Sequence, residues 1–390
     1  MKILMVHPHD LFSPVEPWTI RVVKFAEELV RKGHEVMIAY FSMTRPGKSF
    51  LSGVRLIPLE RTISAAVLIK NTVLLCKLSR QVDVVHFQKS QFYAALPAVL
   101  AAYLTGKPLH YDWDDWEEKI FLASIRKRSI TTVLTGISFC LMERCLPFLA
   151  DSVSVSSETL RKLALQRGAN EKNVFLAPVG ADLQQFRPDS PPGEVRKKHD
   201  LNNALLVLYH GQLHSCQYAA LFLKAIRHIS KIQDCNHLRF MILGSGSELR
   251  SLKMFAQELG IGEKVIFTDF IPHADIPQYI ASADICVAPF YDNEVTRCKS
   301  PLKIVEYMAS GKPIVASDVG EVRNMLGGAG LLVESGKPEA LAEGILELIC
   351  NKKLRNTMAA AARQRAETKY NWERSTENLE KAYKTILHAG

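Results

Sequence analysis

Residues 300–317 read Ser300-Pro301-Leu302-Lys303-Ile304-Val305-Glu306-Tyr307-Met308-Ala309-Ser310-Gly311-Lys312-Pro313-Ile314-Val315-Ala316-Ser317. Proline at the head of a helix sacrifices no hydrogen bond, because the first turn leaves its amides unpaired anyway. A helix is therefore expected over 302–309, stopped by Gly311 and Pro313, with a buried strand at 314–316. A short helix feeding at once into an apolar strand is half of a strand–helix–strand unit. Such units build parallel sheets with right-handed crossovers.

The alternation continues outward. Upstream, strands are expected at 204–209, 239–243, 265–268 and 285–288, separated by helices at 219–230, 247–259 and 276–281. Downstream, 338–387 reads as largely helical. A second series fills the N-terminal half, with strands at 2–6, 36–41, 82–87, 108–111, 152–155 and 174–177. Helices are expected there at 21–31 and 92–104, and between the last two strands, where Ser156 or Ser157 can cap. The two series are separated by Phe186-Arg187-Pro188-Asp189-Ser190-Pro191-Pro192-Gly193, whose prolines and glycine suit a linker. The reading is two doubly wound α/β domains, 1–185 and 186–369. In such sheets ligands sit beyond the carboxyl ends of the strands, so a cleft between the domains is the expected site.

Composition agrees with a folded chain of two domains. Of 390 residues, 47% are apolar and 23% charged, which excludes disorder, collagen and coiled coil as global descriptions. The longest runs without Asp, Glu, Lys or Arg are 201–223, broken by Asn, His and Gln, and 90–106, shorter than the roughly 20 apolar residues of a membrane span. Met1-Lys2 leads straight into an apolar strand with no leader pattern, so a cytoplasmic location is expected. The formal net charge is +9, and residues 1–182 carry 23 basic against 17 acidic side chains. With no zinc-ligand spacing and no basic tail, nucleic acid is not the expected partner. An anionic membrane surface or a phosphorylated substrate fits this charge. The eight cysteines contain no C-x-x-C pair and read as reduced thiols.

The stretch 300–317 resembles the donor-site signature of glycosyltransferase family 4. Further segments resemble that family in the same order: Pro178-Val179-Gly180-Ala181-Asp182 with Phe186 and Pro188, Leu243-Gly244-Ser245-Gly246-Ser247-Glu248, and Phe270-Ile271-Pro272 with Ala283-Asp284. Tyr370, Trp372 and Glu373 open a helix similar to the family's terminal one. The resemblance implies a GT-B fold, two Rossmann-like domains facing a central cleft, with 370–390 crossing back to the N-terminal domain. The N-terminal domain would bind the acceptor and the C-terminal domain a nucleotide-sugar.

The resemblance gives Glu306 the donor's ribose, a role suited to a carboxylate facing two hydroxyls. The diphosphate would meet the helix start at Ser300, Pro301, Leu302 and Lys303, with Lys299 adding charge, because free amides and the positive dipole end stabilise anions there. Gly244 and Gly246 would let backbone approach the ligand, and Phe270 and Ile271 would hold the base. Two positions depart from the family. Its donor-sugar glutamate is Cys298 here, and Gln212 and Gln217 replace its basic phosphate pair, leaving His210, His214, Arg297 or Lys299 as compensating groups.

In the N-terminal domain the counterpart of the family's strand-end histidine is Asp114, placed to orient an acceptor hydroxyl, with Asp112, Asp115 and His86 as neighbouring candidates. The Asp-x-Asp pattern also suits oxygen-ligated Mg²⁺ or Mn²⁺, and equally a solvated acidic loop anchored by Trp113 and Trp116. The resemblance, in which a helix end handles the phosphates, implies no metal and no cofactor beyond a UDP- or GDP-linked donor. The family's first glycine pair is replaced by Pro14-Val15-Glu16-Pro17-Trp18-Thr19, and Trp18 is an acceptor-facing candidate. Basic residues Arg61, Lys70, Lys77 and Arg80 on an apolar segment, and Arg126-Lys127-Arg128 before a nearly uncharged one, suit either a membrane interface or ordinary helices with a charged rim.

Together these readings imply a retaining glycosyltransferase of polysaccharide biosynthesis. It would move a hexose-type unit to a glycan or lipid-linked cell-envelope acceptor, in the cytoplasm and peripherally at the inner face of the membrane. Two alternatives share the architecture: a nucleotide-sugar epimerase, and a degenerate scaffold that binds a partner or nucleotide-sugar without turnover.

Overall fold

The computed structural model describes residues 1–13, 17–43, 51–125, 129–214, 218–232 and 237–388. Pro14–Glu16, the basic run 126–128 and Gln217 lie outside the described residues. The chain divides into two compact units: residues 1–179, 298–300 and 372 onward, and residues 180–297 and 301–371. The division falls between Val179 and Gly180, upstream of the expected boundary at 185. The proline-rich segment belongs to the second unit, where Phe186 is buried and its ring lies 5.8 Å from that of His273.

The first unit holds seven strands: β1 (Lys2–His7), β2 (Glu35–Ser42), β3 (Val54–Glu60), β4 (Val84–Gln88), β5 (Leu109–Trp113), β6 (Ser152–Val155) and β7 (Val174–Leu176). They form one parallel sheet in the order β3-β2-β1-β4-β5-β6-β7. Its helices are α1 (Ile20–Arg31), α2 (Ala65–Ser79), α3 (Phe92–Thr105), α4 (Glu117–Ser124), α5 (Ile130–Leu149) and α6 (Glu158–Gln166). Right-handed crossovers fix their sides. The steps from β3 to β4, β4 to β5 and β5 to β6 move the same way across the sheet. Accordingly α2 packs on α3, α3 on α5 and α4 on α5, while α1 covers the opposite face.

The second unit repeats the scheme with β8 (Leu205–His210), β9 (Leu238–Leu243), β10 (Val265–Phe267), β11 (Ile285–Ala288), β12 (Ile314–Ser317) and β13 (Leu331–Val333). These form a parallel sheet in the order β10-β9-β8-β11-β12-β13. The helices that follow Val195–Lys198 (α7) are α8 (Tyr218–Ile232), α9 (Leu249–Glu258), α10 (Ile276–Ser282), α11 (Glu294–Cys298), α12 (Leu302–Ala309), α13 (Val322–Leu326), α14 (Pro338–Cys350) and α15 (Lys352–Thr368). The last helix, α16 (Trp372–Leu387), belongs to the first unit. It packs on α1, with Trp372 edge-on to Phe25 at 5.5 Å.

Two strands were not expected from the sequence, β3 and β13, and both are sheet edges. An edge strand pairs on one side only, which is how β3 accommodates Pro58. α5 is a second departure. Its 20 residues are apolar and long enough to cross a membrane by length and composition, and little of the helix is buried. Counting uncharged runs passes over it because Glu143 and Arg144 interrupt the stretch.

Candidate functional site

In the second unit the site forms at the carboxyl ends of β8 and β9 and on α12. Glu306, in α12, is almost wholly buried. His210 Nε2, at the end of β8, donates to its Oε2 at 2.7 Å, and His273 Nε2 donates to its Oε1 at 2.8 Å. The His210 amide donates to Tyr307 Oη at 2.9 Å, which fixes the strand end against α12. Burial alone would raise the Glu306 carboxyl, but the two imidazoles overcome it and hold the group at about 2. Glu306 is therefore a charged, oriented acceptor, and each oxygen keeps a second lone pair.

Lys303, one turn earlier, reaches back over the Tyr209 ring at 4.2 Å. Its ammonium abuts the loop after β8: a Cβ on Gly211, where φ is 154°, would come within 2.7 Å of Lys303 Nζ. Positive charge thus stands beside the loop in which Gln212 is exposed. Gly244 and Gly246 have a structural reason of their own. A Cβ at Gly244 would meet the Gly211 carbonyl oxygen at 2.1 Å, and one at Gly246 the Leu213 carbonyl oxygen at 2.2 Å. The backbone they admit is the protein's own, where Leu213 N donates to Ser245 O at 3.0 Å. His214 joins the same loops through Nδ1, 3.2 Å from Ser247 Oγ.

Other expected donor residues are placed differently. Phe270 is 63% exposed, Ile271 and Leu302 are half-buried, and Pro301 is buried. Arg297 spends its guanidinium on Asp292, at 2.5 and 2.9 Å. Cys298, Lys299 and Ser300 belong to the first unit. The Cys298 side chain is fully buried in that unit's apolar core, and its carbonyl accepts from Ser157 Oγ at 2.7 Å. The side chain thus fills a core position of the first unit. Ser300 Oγ accepts from Val179 N at 3.3 Å.

In the first unit, groups gather at the carboxyl ends of β1, β4 and β5. Asp114 and Asp115 follow β5, and Lys89 follows β4 in a left-handed backbone conformation, φ 67°. Lys89 Nζ, buried, lies 2.6 Å from Glu117 Oε1, 3.1 Å from Asp114 Oδ1 and 3.7 Å from Asp115 Oδ2. Gln88 Nε2 donates to Asp114 Oδ2 at 3.1 Å, and Gln88 Oε1 pairs with His7 Nδ1 at 2.8 Å. The His9 ring lies 5.4 Å from that of His7 and 5.1 Å from that of Trp18, which is itself 46% exposed. Burial, with Lys89 and Arg61 nearby, holds His9 neutral, its value lowered to about 3. Burial pushes the Asp114 carboxyl up to about 6 against the pull of Lys89. The carboxylates of Asp114, Asp115 and Glu117 are close enough together to hold a cation. The Lys89 ammonium already stands among them.

His86 and Asp112, expected near the acceptor, are inner groups. Asp112 is fully buried, receives Arg21 Nε and Nη2 at 2.7 Å each, and accepts from Ser154 Oγ. Despite burial, the Arg21 guanidinium holds its carboxyl far below the usual range. His86 Nδ1 pairs with Tyr383 Oη of α16 at 2.7 Å, and burial lowers its value to about 4. Sequence reasoning missed His7, His9, Gln88, Lys89 and His273. For Gln88 and Lys89 a signal existed, since both stand where strand β4 ends, the place a doubly wound sheet presents to ligands.

Residues 204–351 match the family Glycosyl transferases group 1. The chain is 28% identical over 227 residues to a D-inositol 3-phosphate glycosyltransferase of Corynebacterium jeikeium, covering 56% of this chain and 53% of that one. It is 26% identical over 224 residues to a GDP-mannose-dependent alpha-(1-6)-phosphatidylinositol monomannoside mannosyltransferase of Mycobacterium tuberculosis, covering 56% and 57%. The match thus spans about half the length of these curated relatives. Among solved structures, HepE of Anabaena in complex with UDP superposes with a TM-score of 0.73 at 19% identity, covering 99% of this chain and all of that one. Two parallel-sheet units, with the terminal helix returned to the first, give this chain the GT-B fold, and residues 204–351 of its second unit are similar to Glycosyl transferases group 1.

Proposed function

We propose that the protein is a retaining glycosyltransferase that moves a sugar from a UDP- or GDP-linked donor to a glycan or lipid-linked cell-envelope acceptor. The observation that carries this reading is the Glu306 clamp: a buried carboxylate kept charged and oriented by His210 and His273, with Lys303 one turn away. Vicinal ribose hydroxyls donate to such a carboxylate, and the donor's diphosphate lies by Lys303 and the amino end of α12. Charge developing on the leaving diphosphate is stabilised there, and the diphosphate helps take the acceptor's proton. Asp114 orients the acceptor hydroxyl. No metal enters this reading, because Lys303 and Lys89 supply positive charge at the two places that need it. One relative's name specifies a lipid-linked acceptor, a phosphatidylinositol mannoside, which supports this reading, while another's specifies an inositol phosphate. We place the protein in the cytoplasm, peripherally at the inner face of the membrane, in polysaccharide or glycolipid assembly.

Calorimetric titration with UDP, GDP, ADP and CMP, with and without Mg²⁺, tests the donor site. One nucleoside diphosphate is expected to bind at micromolar strength, indifferent to metal, with at least tenfold weakening in Glu306→Ala. Failure of every nucleotide to bind, or unchanged affinity in the variant, defeats the assignment.

A further inference from the structure

We propose that α5 is a docking face for an anionic lipid bilayer, met with the helix lying flat in the interface. At 100° per residue, Ile130, Val133, Leu134, Ile137, Leu141 and Phe148 fall on one arc of about 100°. All six are exposed, Ile130 by 80% and Phe148 by 70%. The buried residues of the helix, Glu143, Leu146 and Pro147, lie outside this arc. The fold buries residues only in the carboxyl half of the helix and leaves the apolar arc uncovered. Tyr103 and Leu104 on α3 and Ile69 on α2, helices of the same layer, are also exposed. Six exposed apolar side chains on one arc of a helix mark an interaction site.

Charge selects the occupant. No acidic side chain is exposed on α2, α3 or α5, whose single carboxylate, Glu143, is turned inward. Arg144 stands exposed within the arc, where its stem can lie on lipid while the guanidinium reaches headgroups. The helix lies on the membrane rather than across it because its carboxyl half is built into the first unit. Glu143 Oε1 accepts from Trp113 Nε1 at 3.1 Å and Glu117 N at 2.8 Å, and Glu143 Oε2 from Glu118 N at 3.2 Å. An apolar face of this kind sinks roughly 5–10 Å into the headgroup boundary. The inference rests on the acceptor reading above and deepens it. Glu143 caps α4, which begins just after Asp114 and Asp115, so a bilayer on α5 brings lipid-linked hydroxyls towards that loop.

Co-sedimentation with vesicles tests the face without reference to turnover. The full chain is expected to sediment with phosphatidylglycerol–phosphatidylcholine vesicles, and less as salt rises. The double variant Leu134→Glu/Ile137→Glu is expected to lose at least tenfold in binding. Met254→Glu, an exposed apolar residue of the second unit at 57% exposure, should bind as wild type. All three should keep the same melting temperature and nucleotide affinity, which separates loss of the face from loss of the fold or of the donor site. Wild type remaining in the supernatant, or the double variant sedimenting like wild type, overturns the proposal. So does a wild-type dimer that the double variant breaks, which would make a second copy of the chain the occupant.

Discussion

Glu306 is a buried carboxylate that two histidines keep ionised, and the balance has a sign that can be read out. Its folded value of about 2 lies below the ordinary 4.5. The stability it contributes is thus fully present above 4.5 and lost as pH falls towards 2. Between pH 5 and 8 the group is always charged, so nucleotide binding should show no acid limb from it. With His210→Ala and His273→Ala together, burial acts alone and pushes the carboxyl up. Nucleotide affinity should then stay within a few-fold of wild type at pH 8. Below the raised value it should fall by about tenfold per pH unit. Calorimetry at pH 8, 7, 6 and 5 decides the matter, and parallel pH profiles for wild type and variant would refute it. Glu306 itself was legible, because it sits in a signature whose helix and strand are local. His273 was not, since a lone histidine 33 residues from its partner is joined to it only by the fold of the second sheet.

At the level of elements, central strands were legible because both neighbours demand an apolar run; of the four edges β7 and β10 were legible, while β3, interrupted by Pro58 and charged residues, and the three-residue β13 were not. The loops after β1, β4 and β5 were legible only in part. Asp114 stood out by type and place, but the lysine that faces it lies one strand away. Lys89 is the cation on which three carboxylates converge, and burial has already raised Asp114 to about 6. An acid with a raised value is ionised above it and loses its charge as pH falls through it. If Asp114 orients the acceptor as proposed, transfer is expected above about pH 6 and lost well below it. Lys89→Met removes the attraction that opposes burial, so the Asp114 midpoint should move upward by a unit or more, and Lys89→Arg should restore it. Carboxyl ¹³C resonances of aspartate-labelled protein follow this without any acceptor. An unmoved or lowered midpoint in Lys89→Met would show that Lys89 does not hold the carboxylate. The same variant leaves three half-buried carboxylates without their cation, a loss of stability that a thermal melt will register.

The whole chain is not two units in simple succession, because its last helix returns to the first. α16 buries Trp372, Leu379, Ala382, Tyr383 and Ile386 in the unit whose strands all precede residue 180. It also supplies the hydroxyl that pairs with buried His86, so removing it strips apolar cover and leaves a polar group unsatisfied. Burying a side chain of this size contributes about 1.5–3 kcal/mol, and a domain holds only about 5–15 kcal/mol in all. A fragment of residues 1–179 should therefore fail to fold, although it contains every strand of its sheet. A fragment of residues 180–371 keeps its six strands, their covering helices, and the Glu306 clamp with both histidines. It should melt cooperatively and bind the same nucleotide as the full chain, within about tenfold. Circular dichroism melts of both fragments, with nucleotide titration of the second, measure this directly. A cooperative melt of 1–179 would show that α16 is an accessory. Absence of nucleotide binding by a folded 180–371 would show that the donor site draws on residues outside the second unit.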